Sequence, residues 1–186
     1  MAKKWTPKKV KALVARSRNN RSEADLSRAD LSGLDLSNFD LRGANLSGAK
    51  LRDARLKGTD LRKANLEDAN LRGANMKNSL LDKANLRWAK LSWAKLNKAS
   101  LSAADLQGAE LRWAVLKGVN LRHANLFGAD LRDANLEDAD LQKANLSSAN
   151  LRRIDLRKTN LKKINYDQQT EWPKEGKPTG AHFLNE

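Results

Sequence analysis

The chain has 186 residues, of which 40% are hydrophobic and 5% aromatic, and its 36 Lys/Arg against 22 Asp/Glu give a formal charge of +14. It contains no cysteine, which excludes a disulfide framework, a thiolate metal site and a cysteine nucleophile. No stretch approaches the roughly 18 consecutive apolar residues of a membrane-spanning helix, and the apolar run Val10, Ala12, Leu13, Val14, Ala15 is too short and too interrupted by Lys11 for a secretory leader, so a cytoplasmic protein is expected.

Residues 1–23 form a basic arm. Lys3, Lys4, Lys8, Lys9, Lys11, Arg16, Arg18 and Arg21 stand against Glu23 alone. Thr6 can cap a helix with Pro7 at its first position, where proline's missing amide costs nothing. Val10, Leu13 and Val14 then share one side at i, i+3, i+4 spacing, with cations opposite. A short amphipathic helix is predicted, with an apolar side that needs a surface to cover.

From residue 24 to residue 168 a five-residue phrase repeats in unbroken register. The centre of each of the 29 quintets is Leu except at Met76 and Tyr166, and two positions earlier lies Ala in 21 of them. The exceptions at the Ala position are Leu34, Phe39, Thr59, Ser79, Val119, Ile154, Thr159 and Ile164. A period of five matches neither the 3.6 of an α-helix nor the plain alternation of a long strand. It matches a chain that makes a short strand, Ala in, Asn or Asp out, Leu in, and then bends. Eight of the ten glycines occupy the last quintet position, where a tight turn needs positive φ, so the corners are placed there.

The quintet at 44–48, Ala-Asn-Leu-Ser-Gly, resembles the consensus of the pentapeptide-repeat family, and the resemblance covers about four-fifths of the chain. It implies an all-β fold, a right-handed quadrilateral parallel β-helix of about seven coils with four quintets per coil, so that residues 20 apart stack in columns. At the usual strand spacing of about 4.8 Å the coils make a rod on the order of 35 Å long. The predicted N-terminal helix then has its surface: the open first coil, whose apolar side chains and unpaired backbone it would cover. In so narrow a shaft a residue larger than Ala overpacks, and the large exceptions fall in the end coils, Leu34 and Phe39 in the first and Ile154 and Ile164 in the last. Thr59 and Ser79 share an inward column and need partners, either each other or a nearby carbonyl.

Residues 169–186 make a cap and tail. Trp172, in a run resembling the closing segment of family members, is expected to cover the terminal coil. The remainder, with Gly176, Pro178 and Gly180, reads as irregular. It lacks a C-terminal helix of the kind that family topoisomerase inhibitors use to dimerise, and a homodimer is left open.

The 20-residue period sorts the quintets into four faces. Face one, with centres at 26, 46, 66 and onward, sums to −3, face two, from 31, to +3, and faces three and four, from 36 and 41, to +4 each. Face one carries Asn45, Asn65, Asn85, Asn125 and Asn145 in a column, where stacked amides can bond along the rod. Face two carries Arg52, Arg72, Arg112, Arg132 and Arg152 in a column, interrupted by Ser32 and Ser92. Guanidinium forks bind carboxylate or phosphate bidentately, although a solvated, partly self-neutralised face would look the same. The least ordinary constellation is Arg87, Trp88, Lys90, Trp93, Lys95 and Lys98 with Arg112 and Trp113 one coil on, and between Asp82 and Asp105 there is no acidic residue. Exposed tryptophans interleaved with cations suit a protein hot spot or a single-strand nucleic-acid platform. The plainer alternative is that the indoles shield neighbouring corners, with cations stacked on them.

Catalysis finds no support. His123 and His182 are far apart without ligand spacing, and the carboxylates stand on outward positions of a rod expected to lack a cleft. No metal, cofactor or small-molecule substrate is implied. The expected function is a non-enzymatic scaffold that binds another macromolecule, a protein before a nucleic acid, through Arg72, Arg87, Trp88, Lys90, Trp93, Lys95, Arg112 and Trp113. Alternatives are nucleic-acid binding by the basic arm and arginine column, and a purely structural solenoid. The family also includes fluoroquinolone-resistance proteins that resemble DNA in shape and negative charge and occupy its site on gyrase, a role that the +14 charge disfavours.

Overall fold

The structure, a computed structural model, describes residues 4–20, 22–174 and the backbone of 182–183. It is a right-handed quadrilateral β-helix whose N-terminal end is covered by one helix, α1 (Pro7–Asn19). From Asp25–Asn45 through Asn145–Asn165 the residue before the central Leu bridges in parallel to its counterpart 20 positions on, with one gap between residues 135 and 155. These one-residue bridges, four to a coil, make up the walls.

Backbone hydrogen bonding explains the period. In the quintet from Ala44, Asn45 N–H donates to Ala24 O of the preceding coil, and Leu46 and Gly48 N–H donate to Asn65 O and Glu67 O of the next. The amide of the following Ala49 closes the corner on Leu46 O at 3.0 Å. One amide, that of Ser47, is left over, and the Asn45 side-chain oxygen accepts it at 3.1 Å. Buried or half-buried amides need such partners, and an Asn or Asp stands two residues earlier to supply one in 21 of the 29 quintets.

Corners turn with positive φ at the last quintet position, as at Gly58 (φ 65) and Gly128 (φ 64). With an i to i+3 bond around it, this has the form of a type II turn. Among the described residues, nineteen non-glycine positions also adopt positive φ, including Trp88 (58), Trp93 (64) and Trp113 (57). Corner side chains lean over the next coil: Asn38 reaches across Gly58, Asp53 across Gly73 and Trp88 across Gly108.

The shaft is filled by the central Leu residues and Met76, nearly all inaccessible, with Ala beside them. Thr59 and Ser79 are fully buried, and each satisfies itself on a carbonyl, Leu36 O at 2.8 Å and Met76 O at 2.7 Å, rather than on the other. In α1, Thr6 accepts from Lys9 N–H, Pro7 opens the helix, and Val10 and Val14 bury against the first coil, beside Leu34 and Phe39. Arg18 in the last turn pins the helix to the solenoid through Asp40, at 2.6 Å to its carboxylate.

Two features depart from the expected regularity. The bridge that would join residues 135 and 155 is missing, and between coils six and seven a cleft of about 400 Å³ opens, lined by Glu137, Arg153, Ile154, Asp155 and Lys158 among others. Ile154 stands at the edge of this cleft, at a position where most quintets hold Ala. The tail, read from sequence as irregular, returns to add a strand: β2 (His182–Phe183) pairs in parallel with β1 (Asn165–Tyr166) of the last coil. Trp172 packs on the terminal core, edge to face with Tyr166 at 5.4 Å. Gly176, Pro178, Gly180 and the expectation of no C-terminal helix lie outside the described residues.

Candidate functional site

The stacked columns bring the singled-out residues together in the middle of the rod. Trp88 and Trp93 end consecutive quintets, so they stand at the two corners that bound face two of one coil, with Lys90 between them. Both indoles are about half exposed, at 50% and 53%. Trp93 stacks on Trp113 of the next coil, centroids 4.8 Å apart and planes within 9°. Arg112 places its guanidinium 4.1 Å from the centre of the Trp113 ring, a cation–π contact. Trp88 lies over Gly108, where any added Cβ would meet its indole carbons at 2.1 Å. Shielding of corners, the plainer alternative, is therefore part of what these indoles do, yet it leaves large outer areas of Trp88 and Trp93 in solvent.

The cations differ along the rod in whether they are neutralised. Near the N-terminal end Arg42 and Arg62 form forked pairs with Asp40 and Asp60, and near the C-terminal end Arg132, Arg153 and Arg157 do so with Asp130, Asp133 and Asp155. Among the described residues, the ion pair lying wholly between residues 63 and 116 is Arg87 with Asp105 at 3.4 Å, supported by Gln107 at 2.7 Å. Arg72, Lys90, Lys95, Lys98 and Arg112 have no ion-pair partner among the described residues. The Arg112 Nε is buried without a hydrogen-bond acceptor. Within the arginine column, Arg52, Arg132 and Arg152 are paired with Asp53, Asp130 and Glu171, so Arg72 and Arg112 are the members left to meet a partner.

A further signal was missed in the sequence reading. The Asn or Asp that accepts the leftover amide is absent at Lys50, Arg55, Leu80, Lys90, Lys95, Ser100, Glu110 and Val115, and from Asn120 to Asn165 it is never absent. Four of these eight substitutions, Lys90, Lys95, Glu110 and Val115, adjoin the tryptophans on faces two and three. The site thus sets a charged or apolar side chain where the fold prefers a turn-capping one.

The structure does not unite the basic arm with the arginine column. Arg18 reaches Asp40, which belongs to face four, on the side of the rod opposite face two. On face one the amide column bonds along the rod, Asn85 to Asn65 at 3.0 Å and Asn145 to Asn125 at 3.2 Å, with Asn125 donating to Asp105 at 2.9 Å, so its role is structural. The expectation that the carboxylates lie on a rod without a cleft needs correction at coil seven, but those carboxylates are held ionised. Glu137 is kept below its usual range by hydrogen bonds from Lys117 and Lys158, and Asp155 is brought down to about 2, chiefly by its bonds from Arg157. Neither is poised to give up a proton near neutrality. Among the described residues no group of three His, Asp or Glu side chains could hold a metal ion, and no helix is long and apolar enough to cross a membrane.

The family model for pentapeptide repeats matches in eight copies, over residues 24–62, 59–97, 84–122, 94–133 and 124–162. No curated protein matches the chain. Among solved structures, it is similar to HetL, a pentapeptide repeat protein involved in heterocyst differentiation regulation in the cyanobacterium Nostoc sp. strain PCC 7120, with 40% identity over 76% of this chain and 72% of that one (TM-score 0.47). It is also similar to Rfr23 from the cyanobacterium Cyanothece 51142, at 27% identity over 87% and 97% (TM-score 0.44). A third similarity is to full-length QnrB1, a plasmid-mediated fluoroquinolone resistance protein, at 17% identity over 87% and 89% (TM-score 0.43).

Proposed function

This chain belongs to the pentapeptide-repeat family, and from that premise we propose that it is a non-enzymatic scaffold that binds another macromolecule through the tryptophan-flanked middle of face two. The observation that carries this reading is the coincidence of half-exposed Trp88 and Trp93 with the cations Arg72, Lys90, Lys95 and Arg112, none of them in a contact ion pair among the described residues, on a rod whose ends are laced with ion pairs. Exposed indole area beside desolvatable guanidinium groups is the composition of binding hot spots. A protein partner fits better than a single strand of nucleic acid. The Trp93–Trp113 stack closes the space between those two rings to a base, and Glu110, which bridges to Lys90 within the patch, would repel a phosphate backbone there.

The corner geometry supplies a fold-sparing test. Trp88, Trp93 and Trp113 all have φ near +60°, where glycine is at least as comfortable as any L-residue. Replacing all three by Gly should leave the melting temperature essentially unchanged and reduce capture of the partner by tenfold or more, the scale of losing an interface hot spot. Capture is measured by affinity pull-down with and without nuclease. Undiminished capture by the folded triple variant would count against this site, and nuclease-sensitive capture would favour nucleic acid.

A further inference from the structure

Where α1 meets the solenoid, a second cationic cluster lies on the opposite side of the rod from the tryptophans. Arg18 from the last turn of α1, Arg42 and Arg62 stacked in one column of face four, Gly43, and Lys63 surround a groove of about 490 Å³. Two carboxylates, Asp40 and Asp60, hold the arginines in place. Arg42 forks onto Asp40 through Nε at 2.9 Å and Nη2 at 2.7 Å, Arg62 onto Asp60 at 2.9 and 2.6 Å, and Arg18 reaches Asp40 at 2.6 Å.

The fork leaves capacity unused. A guanidinium has five N–H donors, and a side-on pair with one carboxylate engages Nε–H and one N–H of Nη2, which leaves three donors of each arginine outside the fork. Arg42 and Arg62 also sit one coil apart, about 4.8 Å at ordinary strand spacing, each held by the same forked contact to the aspartate two residues earlier. Gly43 adds no side chain, and nothing lies within 4 Å of where its Cβ would be, so the floor is open. Lys63 contributes an ammonium with no ion-pair partner among the described residues.

We propose that this groove binds ligands carrying adjacent phosphate groups. Guanidinium groups held by a forked contact match phosphate oxygens bidentately, and Arg18, Arg42, Arg62 and Lys63 against Asp40, Asp60 and the neighbouring Asp82 leave one positive charge in excess for the ligand to neutralise. The helix completes the site, because Arg18 enters it only when α1 is docked on the first coil. The groove shares no residue with the tryptophan patch, so the two readings stand or fall separately.

The test uses the full chain with two probes, inorganic tripolyphosphate by titration calorimetry and a labelled single-stranded oligonucleotide by fluorescence anisotropy, at low salt. The variant Arg62→Gln/Lys63→Gly is compared with Lys143→Gly/Lys163→Gly, which removes the same charge from the same face further along the rod. Loss of two charge-assisted donors should weaken binding about tenfold or more in the groove variant and no more than about twofold in the control. Should the double variant unfold, Lys63→Gly alone is the fold-sparing alternative, since Lys63 has φ 59. Tripolyphosphate binding alone identifies a small phosphorylated ligand, and oligonucleotide binding that tripolyphosphate displaces identifies a nucleic-acid backbone. Equal weakening in groove and control variants, or no binding of either probe, overturns the proposal.

Discussion

Each quintet leaves one backbone amide outside the coil-to-coil ladder, and the identity of a single residue decides whether it is satisfied. Where Asn or Asp stands before the central Leu, its side-chain oxygen takes that amide, as Asp60 does for Arg62 at 3.2 Å and Asn120 for Arg122 at 3.1 Å. Lys90 and Lys95 cannot. Substituting both by Asn should therefore stabilise the rod, by about 0.5–1 kcal/mol per site for a net hydrogen bond, read as a higher melting temperature. If these lysines serve a partner, the same double variant loses capture while gaining stability, the trade found where function displaces the locally best residue. A stabilised variant with unchanged capture would remove Lys90 and Lys95 from the site. The sequence showed these positions as outward-facing, because period-two alternation reports only the direction of a side chain. That the favoured outward residue is also an acceptor for the second amide along became visible only with the turn in place.

At the scale of the element, α1 is both lid and ligand-bearing part. Its apolar side and its cap were legible in Thr6, Pro7, Val10 and Val14, since helix spacing and capping are local properties. The place of Arg18 was not, because its partner Asp40 is 22 residues away and is reached only after the first coil closes. Val10 is fully buried against that coil. Val10→Asp would bury an unpaired carboxylate at a cost of about 3 kcal/mol or more, which undocking α1 avoids. Hydrogen exchange should then show lost protection in α1 and the first coil while coils two to six keep theirs, as expected of a stack whose units contact only their neighbours. Protection lost uniformly along the rod would show that the cap holds the whole solenoid rather than its end. The tryptophan lid at the other end was likewise legible as an aromatic after the last repeat. The strand added by His182–Phe183 was not, because two residues carry no periodicity.

For the whole molecule, charge is organised along the axis. Carboxylates paired with cations dominate toward both ends, and their pairing ties stability to acid. Asp40, held at about 2 from a usual 3.8 chiefly by the hydrogen bonds from Arg42, joins α1 to the solenoid, and Asp60, Asp130 and Asp133 are lowered by bonds from Arg62, Arg132 and Arg153. At Asp130 desolvation by burial is the largest single influence and opposes that lowering. A carboxylate whose folded pKa is depressed contributes stability that is fully present above its unfolded value and is lost as pH falls through the folded one. Thermal stability should thus hold near neutrality and fall between about pH 4 and pH 2, with α1 leaving first. Circular dichroism melts across that range test it, and an Asp40→Asn variant should show a shallower decline because its contribution is already gone. A melting temperature indifferent to pH over that window would mean the ion pairs add nothing to the fold.

The resemblance to the pentapeptide-repeat family supplied the four faces and the tryptophan lid, and the sequence by itself determined the period, the contents of the shaft, the corners and the N-terminal cap. Each of the latter follows from residue size, polarity and spacing repeated along one dimension, and a one-residue slip anywhere would have exposed leucines. The stacking of Trp113 beside Trp93 was legible in the 20-residue columns, whereas tertiary structure decided which cations form ion pairs, that Trp88 covers Gly108, that coil seven parts from coil six beside Ile154, and that Arg18 completes a groove with Arg42 and Arg62. The physical reason is one of distance. Inward and outward positions follow a pattern that recurs every five residues and is legible locally, but the contacts of a surface side chain are made with residues about 20 away, across corners whose side chains lean toward the next coil.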